Sequence, residues 1–283
     1  MRFEAPSTVD GAVALLAAED GVTRVLAGGT DVMVQLKSGM VEPDLIVDIK
    51  RIPGMYDIVE ENGGFRVGAA VPGVMLGEHP GVSAAWPGVV EGLGLVGSTQ
   101  IQSRATLGGN LCNASPAADS VPAMIAAAAT ARVHGPNGVR DVPVEAIGTA
   151  PGKTSLARGE MVGSIYLPAR PAHASDAYLR FIPRTEMDIA VVGAGVSLVM
   201  DGDTVAEARV ALGAVAPTAR LVPEAGAALI GKTVDAAEDD LRAAASAACS
   251  PINDKRGTIE FRTKVAGVLA VRAARLAAER AKG

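Results

Sequence analysis

The stretch TRVLAGGTDVMVQLKSGMVEPDLIVD, Thr23–Asp48, decides the reading of the fold. Thr23–Leu26 is a short β-branched and apolar run, and Leu45–Asp48 is another. Between them Ala27-Gly28-Gly29-Thr30 breaks the first run, and Asp31–Lys37 resumes with helical spacing. The order strand, turn, helix, strand predicts a βαβ unit. Paired glycines after a strand let the backbone approach a phosphate closely and present its N–H groups. Thr30 adds a hydroxyl donor, and the helix start adds positive dipole. Taken alone, the loop reads as a plain tight turn at least as readily as a phosphate cradle.

Thr106-Leu107-Gly108-Gly109-Asn110 offers the same parts a second time: a hydroxyl, paired glycines and an amide side chain. Asn113, Ser115 and Asp119 follow on a short polar stretch. Two such loops, one in each α/β half, suit a diphosphate held between subdomains. Asp119 or Ser120 starts a helix expected to run to about Ala129, with Pro122 tolerated in its first turn. Asp119 therefore either caps that helix or accepts bonds from ligand hydroxyls or a ring N–H.

Bulk composition excludes several functions. The 283 residues allow about one to three domains with sizeable cores. Aromatics at 3% supply no wall of stacking rings for single-stranded nucleic acid. A net charge of -5 suits neither a phosphate backbone nor an anionic membrane. No run of about 18 apolar residues occurs, so no membrane span is expected. The N-terminus lacks a signal-peptide pattern, which implies a cytoplasmic protein. Cys112 and Cys249 read as reduced thiols rather than the alternative disulfide, and two thiols hold neither an iron–sulfur cluster nor a structural zinc. His79, His134 and His173 lie far apart, so no metal site is expected.

Along the chain, Ser7 or Thr8 caps an expected helix Val9–Ala18. Phe65–Gly68 reads as a strand, and a helix is expected around Ala84–Glu91. Ala131–His134, Val142–Val144 and Met161–Leu167 read as strands, and Pro168–Ser175 as a linker. Beyond it come three strands, Ala177–Ile182, Ala190–Met200 and Val205–Val215, with Asp201-Gly202-Asp203 as a hairpin turn. Helices follow at about Ala236–Ala248 and Thr258–Ala281. Strands then helices predict a separate α+β domain.

Other phosphate and hydrolase motifs fail. Gly148–Thr154, GTAPGKT, has three residues between its glycines where a P-loop has four, and reads as a solvent loop. Gly92-Leu93-Gly94-Leu95-Val96-Gly97 matches G-x-G-x-x-G, but follows no clear strand and opens no long helix. Neither a G-x-S-x-G elbow nor an H-E-x-x-H helix occurs.

LAGGTDVMVQLKSG and the stretch Gln100–Ala129 resemble the FAD-binding medium subunit of molybdenum hydroxylases. That family includes carbon monoxide dehydrogenase, xanthine dehydrogenase and 4-hydroxybenzoyl-CoA reductase. Phe3, Pro6, Ala12, Leu15 and Leu16 fit the same resemblance, as do Tyr178–Phe181, Arg184 and Asp188-Ile189-Ala190. The resemblance spans essentially the whole chain. It departs at Gln102-Ser103-Arg104-Ala105, where the family commonly has R-N-x-G.

The resemblance implies an α+β protein. Its FAD-binding domain has two subdomains of the vanillyl-alcohol-oxidase type, residues 1–54 and 55–172. A C-terminal domain with a three-stranded antiparallel sheet and helices covers residues 173–283. Leu26, Ala27, Gly28, Gly29, Thr30, Asp31 and Val32, with Thr106, Gly108, Gly109 and Asn110, would line the pyrophosphate and ribityl chain. Val96 and Gly97 would lie near the flavin, Asp119 would contact FAD, and the Val162 backbone would approach the ring. Arg180 stands where the family often has lysine; it either favours reduced anionic flavin or forms a surface salt bridge. Cys112 is read as a packed small residue. No catalytic acid or base is assigned.

The implied partners are a small [2Fe-2S] subunit and a large molybdenum-cofactor subunit, in a dimer of heterotrimers. Electrons would reach FAD from the clusters and leave to an external acceptor. The alternative is a stand-alone FAD-dependent oxidoreductase of the same fold. The C-terminal region, rich in alanine and poor in ring-contacting aromatics, weighs against it.

Overall fold

The computed structural model describes residues 1–282. The first region runs β1 (Arg2–Glu4), α1 (Val9–Ala18), β2 (Thr23–Leu26), α2 (Val32–Lys37) and β3 (Leu45–Asp48). The three strands are parallel in the order β1-β3-β2, so β2-α2-β3 is the expected βαβ unit. Central β3 buries Leu45, Ile46 and Val47 in succession, as a parallel strand covered on both faces requires. Thr8 caps α1 by accepting the Gly11 N–H at 3.1 Å. α2 behaves differently: its sequence VMVQLK is largely apolar, yet none of its residues is buried.

The second region opens with the hairpin β4 (Ile58–Glu61) and β5 (Gly64–Gly68). Short helices follow: α3 (Gly73–Glu78), α4 (Pro80–Ala85), α5 (Pro87–Gly94), α6 (Thr99–Gln102), α7 (Leu107–Cys112) and α8 (Ser120–Ala126). β6 (Thr130–Gly135), β7 (Gly138–Pro143), the small hairpin β8 (Gly148–Ala150) and β9 (Lys153–Thr154), and β10 (Met161–Leu167) complete it. The main sheet has the order β4-β5-β10-β6-β7 and is antiparallel throughout.

Three expectations change here. The helix expected around Ala84–Glu91 is split into α4 and α5, because Pro87 cannot continue a helix and instead starts one. The helix expected to reach Ala129 stops at Ala126, and Ala128 turns to φ 54 to start β6. The second paired-glycine segment is not a loop. Gly108 and Gly109 lie inside α7, and Thr106 is its N-cap.

The third region folds β11 (Ala174–Phe181), β12 (Val192–Asp201), β13 (Thr204–Gly213) and β14 (Arg220–Leu221) into an antiparallel sheet in sequence order. The three expected strands are present, and the short β14 adds a fourth at the edge. α9 (Pro223–Leu229), α10 (Glu238–Ala247) and α11 (Ile259–Ala281) follow. The alanines of α11, Ala266, Ala270, Ala273, Ala274 and Ala277, are buried against the sheet. Their small side chains let the helix lie close to β11 and β12.

The seam between the second and third regions combines apolar packing of α8 on β12 and β13 with buried polar pairs. β11 points Asp176, Tyr178 and Arg180 to one side, since alternate residues share a face. Asp176 pairs with Arg170 at 2.6 Å, and Arg170 stacks on the Trp86 ring with its carbon 3.9 Å from the centroid. The stretch expected to be a linker is thus pinned. Trp86 also donates its indole N–H to the Pro168 carbonyl at 3.0 Å.

Candidate functional site

A cleft of about 740 Å³ opens between the parallel sheet and the five-stranded sheet. Its first wall begins at β2. Gly29 takes φ +84, the left-handed region open to glycine, and turns the chain into α2. Gly28 meets the opposite wall: a Cβ there would overlap the main-chain carbonyl of Arg104. The first glycine-rich segment therefore touches, backbone to backbone, the turn that leads into the second. Lys50 fixes the rear of the first loop, donating to the Ala27 carbonyl at 3.2 Å while paired with Asp48 at 2.7 Å.

The second wall is α7 with its N-cap. Thr106, only 2% exposed, accepts the Gly109 N–H on its hydroxyl at 2.9 Å. The Gly73 N–H donates to the Ala105 carbonyl at 2.8 Å and holds the turn before it. Asn110 accepts both the N–H and the hydroxyl of Ser120, at 3.2 and 2.7 Å. A β-bulge between Val162 and Ser164 re-aims β10 beside the cleft.

Of the residues singled out in the sequence, Ala27, Gly28, Gly29, Thr30, Asp31, Val32, Val96, Thr106, Gly108, Gly109, Asn110 and Val162 line this one cleft. Leu26, Gly97, Asp119 and Arg180 do not. Gly97 lies just behind Val96 and accepts the Met187 N–H on its carbonyl at 3.3 Å. Asp119 makes no cap bond to α8. Its carboxylate instead accepts the Tyr178 hydroxyl at 2.9 Å and pairs with Arg180 at 2.7 Å. Arg180 is therefore a buried ion pair, not a surface one, with 6% of its side chain exposed. Burial raises the Asp119 carboxyl to about 6, against the opposing pull of Arg180 and the Tyr178 bond. Burial also pushes the Cys112 thiol up to about 12, as suits a packed residue without thiolate chemistry.

The cleft also holds residues outside the set that the resemblance assigned to FAD. Gln35 of α2 donates to the Asn113 side chain at 3.0 Å, and both line the cleft. Gly152 and Thr154 line it too, so the near-P-loop segment is a hairpin facing the cleft rather than a solvent loop. A hairpin has no helix N-terminus to offer a phosphate, so its failure as a P-loop stands. Its glycine and threonine were a weak signal of proximity. Arg24 and Arg158 line it as well, with Arg158 paired to Asp20 at 2.7 Å. Among the described residues no cluster of three or more His, Cys, Asp or Glu could hold a metal, and no helix is long and apolar enough to cross a membrane.

The arrangement suits a large dinucleotide. Its volume lies in the upper part of the range for ligand sites, about 300–1,000 Å³. Bare backbone at Gly28 and Gly108 lines it, and side chains there would collide with Arg104 and crowd Ala69. Apolar Val96 and Val162 and polar Thr30, Thr106 and Asn110 line the same space.

Comparison with known proteins agrees with this geometry. Residues 1–170 match the family described as FAD binding domain in molybdopterin dehydrogenase, and residues 177–277 match the CO dehydrogenase flavoprotein C-terminal domain. The carbon monoxide dehydrogenase medium chain of Hydrogenophaga pseudoflava is 34% identical over 96% of this chain and 96% of its own. A putative xanthine dehydrogenase FAD-binding subunit of Escherichia coli K12 is 34% identical over 76% of this chain and 74% of its own. The solved CO dehydrogenase from Oligotropha carboxidovorans superposes with a TM-score of 0.94 at 31% identity, covering 99% of this chain and 98% of that one. Fold and cleft define a flavoprotein with an FAD-binding part and an α+β tail. The chain belongs to the FAD-binding medium subunits of the molybdenum hydroxylase family, and is an oxidoreductase component.

Proposed function

We propose that this chain holds one FAD in the cleft and acts as the electron-relay subunit of a three-subunit molybdenum hydroxylase. Bound FAD supplies the redox chemistry: electrons arrive from [2Fe-2S] clusters on a small partner subunit and leave to an external acceptor. A large partner carries the molybdenum cofactor and the substrate pocket, and two such heterotrimers pair. The observation that carries the reading is the convergence of Gly28 and the Arg104–Asn110 segment on one dinucleotide-sized cleft.

The chain's own residues bind and orient. Residues 1–54 and 55–172 act as the two FAD-holding halves, and residues 173–283 as the domain behind them. Ala27–Val32 and Thr106, Gly108, Gly109 and Asn110 take the diphosphate and ribityl region. Val96 and the Val162 backbone face the ring. Leu26, Gly97, Asp119 and Arg180 act from behind the lining. Arg180 retains a fixed positive charge, though Asp119 neutralises much of it.

Residues 181–191 gate access to the flavin. They are tied to the cleft edge through Met187 and Gly97, and to the third region through Asp188, which pairs with Arg256 at 2.8 Å. Unchanged acceptor kinetics in Arg184→Ala and Glu186→Ala complexes would remove the gate from this account.

Purification tests the whole reading. Expressed with its neighbouring subunits, the chain should co-purify with iron, molybdenum and one FAD per chain, and its flavin band should bleach on reduction by substrate. A lone yellow chain with full dehydrogenase activity supports the stand-alone enzyme instead.

A further inference from the structure

Asn110 is the one amide side chain of the paired-glycine segments, and its orientation is fixed by chemistry. Its Oδ1 receives two donors from Ser120, the backbone N–H at 3.2 Å and the hydroxyl at 2.7 Å. A backbone N–H can only donate, so the amide cannot be flipped: the oxygen must face Ser120. The Nδ2 amino group must then point the other way, and Asn110 lines the cleft. Ser120 itself is fully buried and does not line the cleft. The next residue back, Asp119, is held by Tyr178 and Arg180 of β11, which fixes the main chain that carries the Ser120 N–H.

We infer that Ser120 is a positioning residue: it locks Asn110 as a hydrogen-bond donor toward an anionic oxygen of the bound dinucleotide. The inference rests on the FAD reading of the cleft. An unlocked asparagine would offer its carbonyl to the same oxygen about half the time, as a repulsive contact. The lock removes that state before binding, so its benefit appears in affinity and not in the fold of the empty chain.

The test is FAD titration of the full chain, followed by flavin fluorescence, with the thermal midpoint of the FAD-free protein measured alongside. The wild type is titrated first; if it takes up no FAD, the reading of the cleft falls and this inference with it. Given uptake, Asn110→Asp keeps an acceptor for Ser120 and leaves the empty chain as stable as wild type. It replaces the donor with a carboxylate, so affinity should fall about ten- to hundredfold or more. Ser120→Ala should weaken FAD about three- to tenfold, the net value of one hydrogen bond. In an Asn110→Ala background the same Ser120→Ala change should have no further effect, because its route to the ligand is gone. Wild-type affinity in Asn110→Asp, or an equal Ser120→Ala loss in both backgrounds, overturns the proposal.

Discussion

The two paired-glycine segments share their parts list and differ in almost everything else. Ala27–Thr30 is a half-buried turn leading into α2, a helix with no buried residue. Thr106–Asn110 is the start of a helix whose Thr106, Leu107 and Gly108 are buried. The first needs glycine for two reasons: Gly29 for its positive φ, and Gly28 because Arg104 leaves no room for a Cβ. The second keeps ordinary helical geometry and needs small residues only for packing, with a Cβ on Gly108 meeting that of Ala69 at 3.0 Å. Rigidity also differs in origin. The first segment is braced by Lys50 at its rear and by the Arg104 backbone in front, the second by α8 and, through Asp119, by the third region. One wall of the cleft is thus a glycine turn and the other is a buttressed helix.

Substitutions can break that contrast, beginning with the largest effect. Gly28→Val puts a branched side chain into the Arg104 carbonyl, so the walls cannot meet; purified protein should carry no measurable flavin by absorbance. Asp119→Ala leaves the Arg180 guanidinium buried without its partner, which should cost about 3–5 kcal/mol of stability in urea unfolding. A loss under 1 kcal/mol would mean that the buttress is not set by this pair.

The same carboxyl makes the buttress pH-dependent. Raised to about 6 when folded, it retains its proton where the unfolded chain has lost it. Over the window from the ordinary carboxylate value to about 6 the native state binds the extra proton, so its contribution to stability falls as pH rises and levels off above. Asp119→Asn should lack that slope, and parallel unfolding curves for wild type and variant from pH 4 to 7 would contradict it. Thr106→Val keeps the shape but removes the cap acceptor, and should cost about 1 kcal/mol by denaturant unfolding. Gly108→Ala sets a gain in helix propensity against a tight contact with Ala69, and should move stability by less than about 1 kcal/mol. The equivalent change at Gly28 should be far worse.

Local pattern carried much of the fold. β2, β3 and β10 run over the residues their apolar and β-branched runs predict, because each is set by its own side chains. β1 and β4 were not legible: each has three or four residues with charged members and exists only by pairing with a neighbour. α7 was hidden because two adjacent glycines argue against a helix, and tertiary packing overrode that propensity. The candidate site divides along the same line. Both glycine segments were visible as motifs, and the contact of Gly28 with the turn before the second was not. The Asp119–Tyr178 and Asp119–Arg180 bonds join residues 59 and 61 positions apart, and nothing local announces them. Composition at Gly148–Thr154 suggested solvent, whereas the hairpin folds it onto the cleft.

α2 remains the least supported element of the cleft. Met33 and Val34 are 45% and 62% exposed, and a six-residue helix does not persist in water by its own hydrogen bonds. Its one long-range side-chain anchor, Gln35 on Asn113, spans the cleft. The helical population of residues 32–37 should therefore rise when the space beside it is filled, which would make the segment an internal gauge of occupancy. Amide exchange there, followed over time, would count how often the cleft empties, with no need to observe the flavin itself.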